Sequence, residues 1–134
     1  MIVDTSAIVA ILKGEPEAGS FAESIATAPS LRISAVNYVE SGAVIDSVQD
    51  PVISRQLDRL LESSRISIES VSVGQARIAR QAYRDFGKGS GHPARLNFGD
   101  CFAYALASEA GESLLFKGED FSRTDIASAL STKG

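Results

Sequence analysis

Short apolar segments alternate along this chain with longer segments in which apolar residues recur at helical spacing. Period-two alternation or a short apolar run predicts strands. The predicted strands are 2–4, 31–34, 66–71, 113–116 and, as a last edge strand, 125–130. Helical spacing bounded by Gly and Pro predicts helices at 7–12, 16–28, 35–48, 52–63, 72–86 and about 98–109. This alternation predicts an α/β fold: a single domain over 1–134 with a parallel twisted sheet of four to five strands and helices on both faces.

Several acidic residues follow predicted strands. Asp4 ends the first strand, and Glu119 and Asp120 come shortly after the strand at 113–116. In open parallel sheets, ligands bind outside the carboxyl ends of the strands. We therefore predict that these acids lie on one rim of the sheet.

The composition is that of a folded domain. A chain of 134 residues suits one core, and 44% hydrophobic with 22% charged residues is typical of a globular protein. No apolar run approaches the ~20 residues that cross a bilayer, and the first residues lack the pattern of a secretory signal. We therefore expect a cytoplasmic protein with no membrane partner. The single cysteine, Cys101, excludes an internal disulfide and a thiolate metal cage.

The net charge of -4, from 13 basic and 17 acidic residues, disfavours an extended nucleic-acid binder, because phosphate affinity usually comes from Lys and Arg. This argument against nucleic-acid binding weakens if the acids are concentrated where metal ions bind, since a bound cation reverses the local charge. Basic residues that could hold RNA phosphates are Lys88, His92, Arg95, Lys117 and the helical stripe Arg77, Arg80 and Arg84. For the stripe, a solvated helix face is the simpler interpretation.

Some acidic residues stand in otherwise apolar or small surroundings. They are Asp4, Glu40, Asp100, Glu119 and Asp120. A carboxylate there is unfavourable unless it is paired or binds a cation, and converging carboxylates cannot all stay ionised without a positive partner. Mg²⁺ meets this need, because it takes hard oxygen ligands and binds through one or two carboxylates, waters and phosphates. A metal held in this way can activate water and stabilise charge on a phosphate.

Each acid also has a simpler interpretation. Asp4 could cap the following helix, Glu40 could be an exposed helix residue, and Asp100 could be a favourable charge at a helix N-terminus. Glu119 and Asp120 could be solvated loop residues. Taken one at a time, the acids do not decide between metal binding and these structural roles.

Four segments together carry a family resemblance. They are IVDTSA at 2–7, SAVNYVE at 34–40, NFGDCFAYALA at 97–107 and LLFKGEDFSRTD at 114–125. In this order they resemble the signature stretches of PIN-domain ribonucleases of the VapC type, the toxins of type II toxin–antitoxin pairs. The resemblance implies a PIN fold and an endoribonuclease that depends on Mg²⁺, or on Mn²⁺. It also implies cleavage of cellular RNA, of the tRNA or rRNA class, to inhibit translation.

The resemblance assigns roles to the acids. It maps the family's metal-binding residues onto Asp4 and Asp100, with Glu40 completing the catalytic cluster. For the fourth acid we favour Asp120, with Glu119 as the alternative, because a lysine or a glycine stands where many PIN domains carry Asp or Asn.

Neighbouring polar residues are candidates for substrate binding. They are Thr5, Ser6, Asn37, Lys117 and Arg95. Thr5 and Ser6 could bind metal-bound water or a phosphate oxygen, or one of them could cap the first helix. Asn37 lies one turn before Glu40 and could orient it.

The predicted helices 35–48 and 52–63 are rich in aliphatic residues. The simple interpretation is packing onto the sheet, but such faces can also leave a groove for a partner helix. The resemblance implies such a groove, filled by a cognate VapB-type antitoxin, and a homodimer. We expect an arginine or lysine of the antitoxin to reach the acidic site and block it.

Two other functions stay open on the sequence. A different Mg²⁺ phosphoryl-transfer enzyme, such as a receiver-like phosphoacceptor or a small phosphatase, also needs clustered carboxylates. It is disfavoured because Asp4 has no acidic neighbour and Ser6 stands where a phosphatase would carry a second aspartate. A catalytically weak binding module would act mainly through a toxin–antitoxin repressor complex. The acidic balance would then assign DNA contact to the antitoxin.

Overall fold

The computed structural model describes residues 1–130. Within that range the strands are β1 (Ile2–Val3), β2 (Leu31–Ser34), β3 (Ile66–Glu69) and β4 (Leu114–Leu115). The helices are α1 (Thr5–Leu12), α2 (Ala18–Thr27), α3 (Ala35–Asp46), α4 (Pro51–Ser64), α5 (Val73–Phe86) and α6 (Phe98–Ala110), followed by a 3₁₀ turn at Phe121–Arg123. None of the helices in this range is long and apolar enough to cross a bilayer.

The strands form a parallel sheet in the order β3-β2-β1-β4. Ile2 pairs with Leu114 and Val3 with Leu115, so that β1 lies between β2 and β4. Because all these strands run in the same direction, their carboxyl ends open at one edge of the sheet. Asp4 leaves the sheet at this edge, as predicted.

Successive residues of β1 face opposite sides of the sheet and enter two separate apolar layers. Ile2 packs with residues of α5 and α6 in one layer. Val3 packs with residues of α1, α2 and α4 in the other. Both strand residues are completely buried. The predicted α/β fold with helices on both faces of a parallel sheet is therefore confirmed.

Side-chain caps start the helices that leave the carboxyl edge. Asp4 accepts a hydrogen bond from the backbone N–H of Ser6 at the start of α1, and Ser34 accepts one from Val36 at the start of α3. The expectation that Thr5 or Ser6 caps the first helix is wrong. The helix already begins at Thr5, which leaves the capping position to the aspartate before it.

The chain at 125–130 does not form the predicted edge strand. It meets β4 at a single parallel bridge between Leu114 and Ser128. Two hydrogen bonds of 2.9 Å flank that bridge, from Leu114 N to Ala127 O and from Ala129 N to Leu114 O. Since β4 is only two residues long and the chain turns directly after the bridge, the described sheet has four strands rather than five.

Arg65 ends α4 in the left-handed backbone region, with φ 57° and ψ 44°. Only glycine adopts this conformation without a steric cost from Cβ. Arg65→Gly should therefore raise the free energy of unfolding by about 0.5 kcal/mol, as measured by urea denaturation. The matched control Arg59→Gly, in the interior of α4, should lower it by about 1 kcal/mol. A loss of stability at both positions would contradict this account of the helix end.

Candidate active site

Asp4 lies where β1 ends and α1 begins, and only 2% of the residue is exposed. Its Oδ2 accepts hydrogen bonds from Ser6 N at 3.0 Å and from Ser6 Oγ at 2.6 Å. The other oxygen, Oδ1, is buried and has no hydrogen-bond partner within the described residues. One oxygen of the carboxylate therefore caps the helix, and the other stays available to a ligand.

The surroundings of Asp4 disfavour its ionised form. Burial, the largest cause, and the negative charge of Glu40 together raise the pKa of Asp4 to about 6. The hydrogen bonds from Ser6 and from the backbone of Thr5 act in the opposite direction but do not cancel the effect of burial. A cation beside this carboxylate would remove most of that penalty.

Asp100 lies in the first turn of α6, where it forms a capping box with Asn97. Asn97 N donates to Asp100 Oδ2 at 2.9 Å, and Asp100 N donates to Asn97 Oδ1 at 2.8 Å. Burial, the largest cause, and the negative charges of Asp4, Glu40 and Asp120 together raise the pKa of Asp100 to about 7. Asp100 therefore has the structural role at the helix N-terminus and also lies among the other acids of the site.

Glu40 reaches the same group of acids from α3. Its Oε1 accepts a hydrogen bond from Thr5 Oγ1 at 2.5 Å and another from Asn37 Nδ2 at 3.4 Å. Asn37 is completely buried, and its Nδ2 also lies 3.0 Å from the carbonyl oxygen of Gly99. The Glu40 carboxylate is thus held by Thr5 at the start of α1 and by Asn37 of α3, and Asn37 is itself bound to α6.

Ser6 and Lys117 connect the acidic cluster to the chain after β4. The Ser6 hydroxyl donates to Asp4 and accepts a hydrogen bond from Lys117 N at 2.9 Å. The Lys117 ammonium lies 2.9 Å from Glu15 and 3.6 Å from Glu17. In this structure the Ser6 hydroxyl and the Lys117 side chain are therefore engaged with protein groups rather than directed to a substrate.

The other candidates lie on the surface. Glu119 and Asp120 are exposed residues of the loop after β4, and only Asp120 contributes to the raised pKa of Asp100. Arg95 is exposed in the segment before α6. The basic stripe on α5, defined by Arg77, Arg80 and Arg84, is also exposed. The structure thus brings Asp4, Glu40 and Asp100 together, places Asp120 at their margin, and leaves Glu119 and the basic residues outside the cluster.

The carboxylate oxygens of Asp4 and Asp100 are the kind of donor that Mg²⁺ takes. Among residues 1–130, no three His, Cys, Asp or Glu side chains form a ready-made ligand cage. Mg²⁺ does not require one, because it binds through one or two carboxylates and keeps several waters. The unpartnered Oδ1 of Asp4 and the raised pKa values of Asp4 and Asp100 fit a hard cation at this place.

Two neighbours of the acids were not predicted from the sequence. Asn97 caps α6, and the Asn-x-x-Asp spacing of a capping box could have revealed it. Gly99 gives no such signal in a single sequence. A Cβ at this position would overlap the carboxylate of Glu40, which becomes visible only when α3 and α6 are packed together.

Comparison with known proteins agrees with the resemblance read from the four segments. The family model described as PIN domain matches residues 1–127. VapC ribonuclease Mb0625 of Mycobacterium bovis and Ribonuclease VapC28 of Mycobacterium tuberculosis are each 56% identical over 130 residues, which is 97% of this chain and 98% of each relative.

Solved structures show the same fold at lower sequence identity. Mycobacterium tuberculosis VapC20, a Sarcin-Ricin loop cleaving toxin, matches with a TM-score of 0.74 at 17% identity, over 94% of this chain and 95% of that one. A toxin–antitoxin complex from Klebsiella pneumoniae matches with a TM-score of 0.66 at 20% identity, over 90% and 89%. The long, highly identical relatives and the family model carry the assignment. The chain therefore belongs to the PIN-domain family and, within it, to the VapC ribonucleases.

Proposed function

We propose that this VapC ribonuclease is a magnesium-dependent endoribonuclease toxin that cleaves a phosphodiester bond in cellular RNA and is neutralised by a cognate VapB-type antitoxin. The observation that carries the proposal is the cluster of Asp4, Glu40 and Asp100 at the carboxyl edge of the sheet. Burial and the negative charges of the other acids disfavour the ionised form of each of the two aspartates. A divalent cation and an RNA phosphate together complete such a site.

Asp4 and Asp100 would hold the cation, Mg²⁺ or the similarly oxygen-seeking Mn²⁺. When bound, the metal supplies positive charge that offsets the negative charge developing on the phosphate during the reaction. Ser6 fixes Oδ2 of Asp4 and leaves Oδ1 without a hydrogen-bond partner among the described residues. Asn97 holds the carboxylate of Asp100 in the same manner through its backbone N–H.

Glu40 would act on the attacking water. Thr5 and Asn37 occupy its Oε1, which leaves Oε2 to accept a proton from that water. Asp120 would add negative charge at the mouth of the site, and this supports its choice over Glu119 as the fourth acid. Thr5, Ser6 and Asn37 would thus assist the reaction through the acids they hold.

The family and the distribution of charge support the proposed substrate class. The acidic net charge suits recognition of a short exposed RNA loop, which needs fewer phosphate contacts than a duplex. We assign those contacts to Arg95 and to the basic stripe on α5, because the ammonium of Lys117 already lies beside two glutamates. An RNA of the tRNA or rRNA class meets this description.

The partner assignments are part of the same proposal. Exposed apolar residues, among them Val39 and Val52 with 66% and 54% of their surface exposed, lie on α3 and α4. Such residues suit an amphipathic antitoxin segment. The homodimer, the cytoplasmic location and DNA contact through the antitoxin alone stay predictions.

One observation favours the second candidate, a catalytically weak binding module. The described acids do not form a preassembled cage. Such a module would act mainly through the toxin–antitoxin repressor complex. Calorimetry on the isolated chain separates the two candidates, because absence of Mg²⁺ and Mn²⁺ binding would support the module.

Substitution of the metal-holding acids should abolish cleavage. With Mg²⁺ and total cellular RNA, Asp4→Asn and Asp100→Asn should each lose more activity than the ~10–100-fold typical of residues that only support metal ligands. Asp120→Asn should cost more than its matched neighbour Glu119→Gln. Chelation should stop wild-type cleavage, and Mg²⁺ should restore it. Equal cleavage by wild type and both aspartate variants would show a contaminant or a different site.

The same substitutions should stabilise the metal-free protein. Unfolded aspartates titrate near 3.8, whereas burial raises the pKa of Asp4 to about 6 and of Asp100 to about 7. The folded chain therefore binds more protons between these values, and its stability falls as the pH rises from about 4 to about 7. At pH 8, Asp4→Asn should raise the free energy of unfolding by at most about 3 kcal/mol and Asp100→Asn by at most about 4 kcal/mol, at ~1.4 kcal/mol per pKa unit.

Urea denaturation in chelator at pH 4 and pH 8 measures this difference. At pH 4 the variants and the wild type should converge, because the wild-type aspartates are then protonated in the folded state. Variants that are less stable than the wild type at pH 8 would contradict the inference that burial disfavours the ionised forms of the two carboxylates.

The antitoxin should inhibit by supplying a positive charge to the acids. An equimolar cognate antitoxin should suppress RNA cleavage, and an antitoxin in which the basic residue at the site is replaced by Ala should bind but inhibit less. Binding is followed by calorimetry and cleavage by gel assay. A saturated complex that retains full ribonuclease activity would remove this part of the proposal.

A further inference from the structure

Glu40 and Gly99 meet where α3 packs against α6. Asn37, one turn before Glu40, donates from Nδ2 to the carbonyl oxygen of Gly99 at 3.0 Å and ties the two helices together at this level. A Cβ placed on Gly99 would overlap all three atoms of the Glu40 carboxylate group, Cδ, Oε1 and Oε2. The carboxylate of Glu40 therefore occupies the space that any other side chain at position 99 would need.

The backbone does not require glycine at this position. Gly99 lies in the first turn of α6, and it is absent from the glycines with positive φ, which are Gly14, Gly89, Gly91, Gly111 and Gly118. Alanine is a better helix former than glycine. Glycine at position 99 thus makes the helix less stable than alanine would. What glycine offers here is the space that the Cβ of alanine would fill.

The Glu40 carboxylate has little freedom to move away from an added methyl group. Its Oε1 is held by Thr5 and Asn37, of which the first is 8% exposed and the second completely buried. A displaced carboxylate would lose both hydrogen bonds, while Thr5 Oγ1 would keep the carbonyl oxygen of Asn37 at 3.3 Å and Asn37 Nδ2 would keep that of Gly99 at 3.0 Å. It would also leave its place beside Asp4 and Asp100.

We propose that Gly99 is a positioning residue of the ribonuclease, whose missing side chain lets the Glu40 carboxylate lie between Thr5, Asn37 and the first turn of α6. Gly99 itself does not touch the substrate in this role; it acts through Glu40. The inference rests on the catalytic role proposed above for Glu40.

A double-variant cycle on the full chain tests the packing. Gly99→Ala alone should lower the melting temperature by about 4 °C or more, because the methyl group displaces a held carboxylate. In a Glu40→Ala background the same change should raise it by about 2–4 °C, because only the better helix propensity remains. This reversal of sign is the expected result. A similar loss in both backgrounds would overturn the inference.

Gly42→Ala is the matched control. Gly42 lies on α3, half-buried, and a Cβ there would meet only Leu57 Cδ2 at an ordinary distance of 3.8 Å. Gly42→Ala should raise the melting temperature by the same amount whether position 40 carries Glu or Ala. In the chain that keeps Glu40, it should leave RNA cleavage unchanged. If Gly99→Ala alone does not fold, a folded double variant is the expected outcome, and failure of both to fold would overturn the proposal.

Activity separates this inference from the proposed function. With Mg²⁺, Gly99→Ala should lower the cleavage rate by at least ~10-fold, the range of residues that support a catalytic group. If Glu40→Ala loses activity and Gly99→Ala keeps full activity, the role of Gly99 is overturned and the catalytic role of Glu40 is not. Full activity in Glu40→Ala would overturn the catalytic role of Glu40 and the role of Gly99 with it.

Discussion

Placing carboxylates in the interior at the end of a parallel sheet is the constraint on which this structure depends. Asp4 is buried beside Glu40 and Asp100, and removal from water together with repulsion by the neighbouring acids disfavours the charged forms of Asp4 and Asp100. The protein supplies hydrogen-bond donors to only part of this cluster, and Oδ1 of Asp4 has no partner within the described residues. The remaining need is for positive charge, which a divalent cation and, in the inhibited complex, a basic antitoxin residue would meet in turn.

The groups that hold the acids also hold the fold together. The Ser6 hydroxyl accepts a hydrogen bond from the backbone N–H of Lys117 and donates one to Asp4. The loop after β4 is therefore connected to the start of α1 through the site. Asn37 connects α3 to α6 through the carbonyl oxygen of Gly99. These hydrogen bonds link helix packing to the arrangement of the acids. In such a site, local stability is given up for the placement of charge.

Local sequence signals predicted most of the elements because their causes are local. The alternation around Ile33 in β2 and the helical spacing along α4 reflect a face buried against one neighbouring layer. The failure at 125–130 has a different cause. That segment meets β4 through the single bridge from Leu114 to Ser128 and turns at 129–130, and this course of the chain beside a distant strand has no local signal in the sequence.

The sequence by itself determined the fold class, the order of elements and the set of acids, because side-chain periodicity and the ends of strands are properties of short segments. Tertiary structure decided what those acids contact. Burial of Asn37, the engagement of Lys117 by two glutamates and the place of Glu40 against Gly99 join residues more than 30 positions apart. Such contacts depend on the packing of α1, α3 and α6 around one edge of the sheet, and packing of distant segments leaves no periodic trace in a single chain.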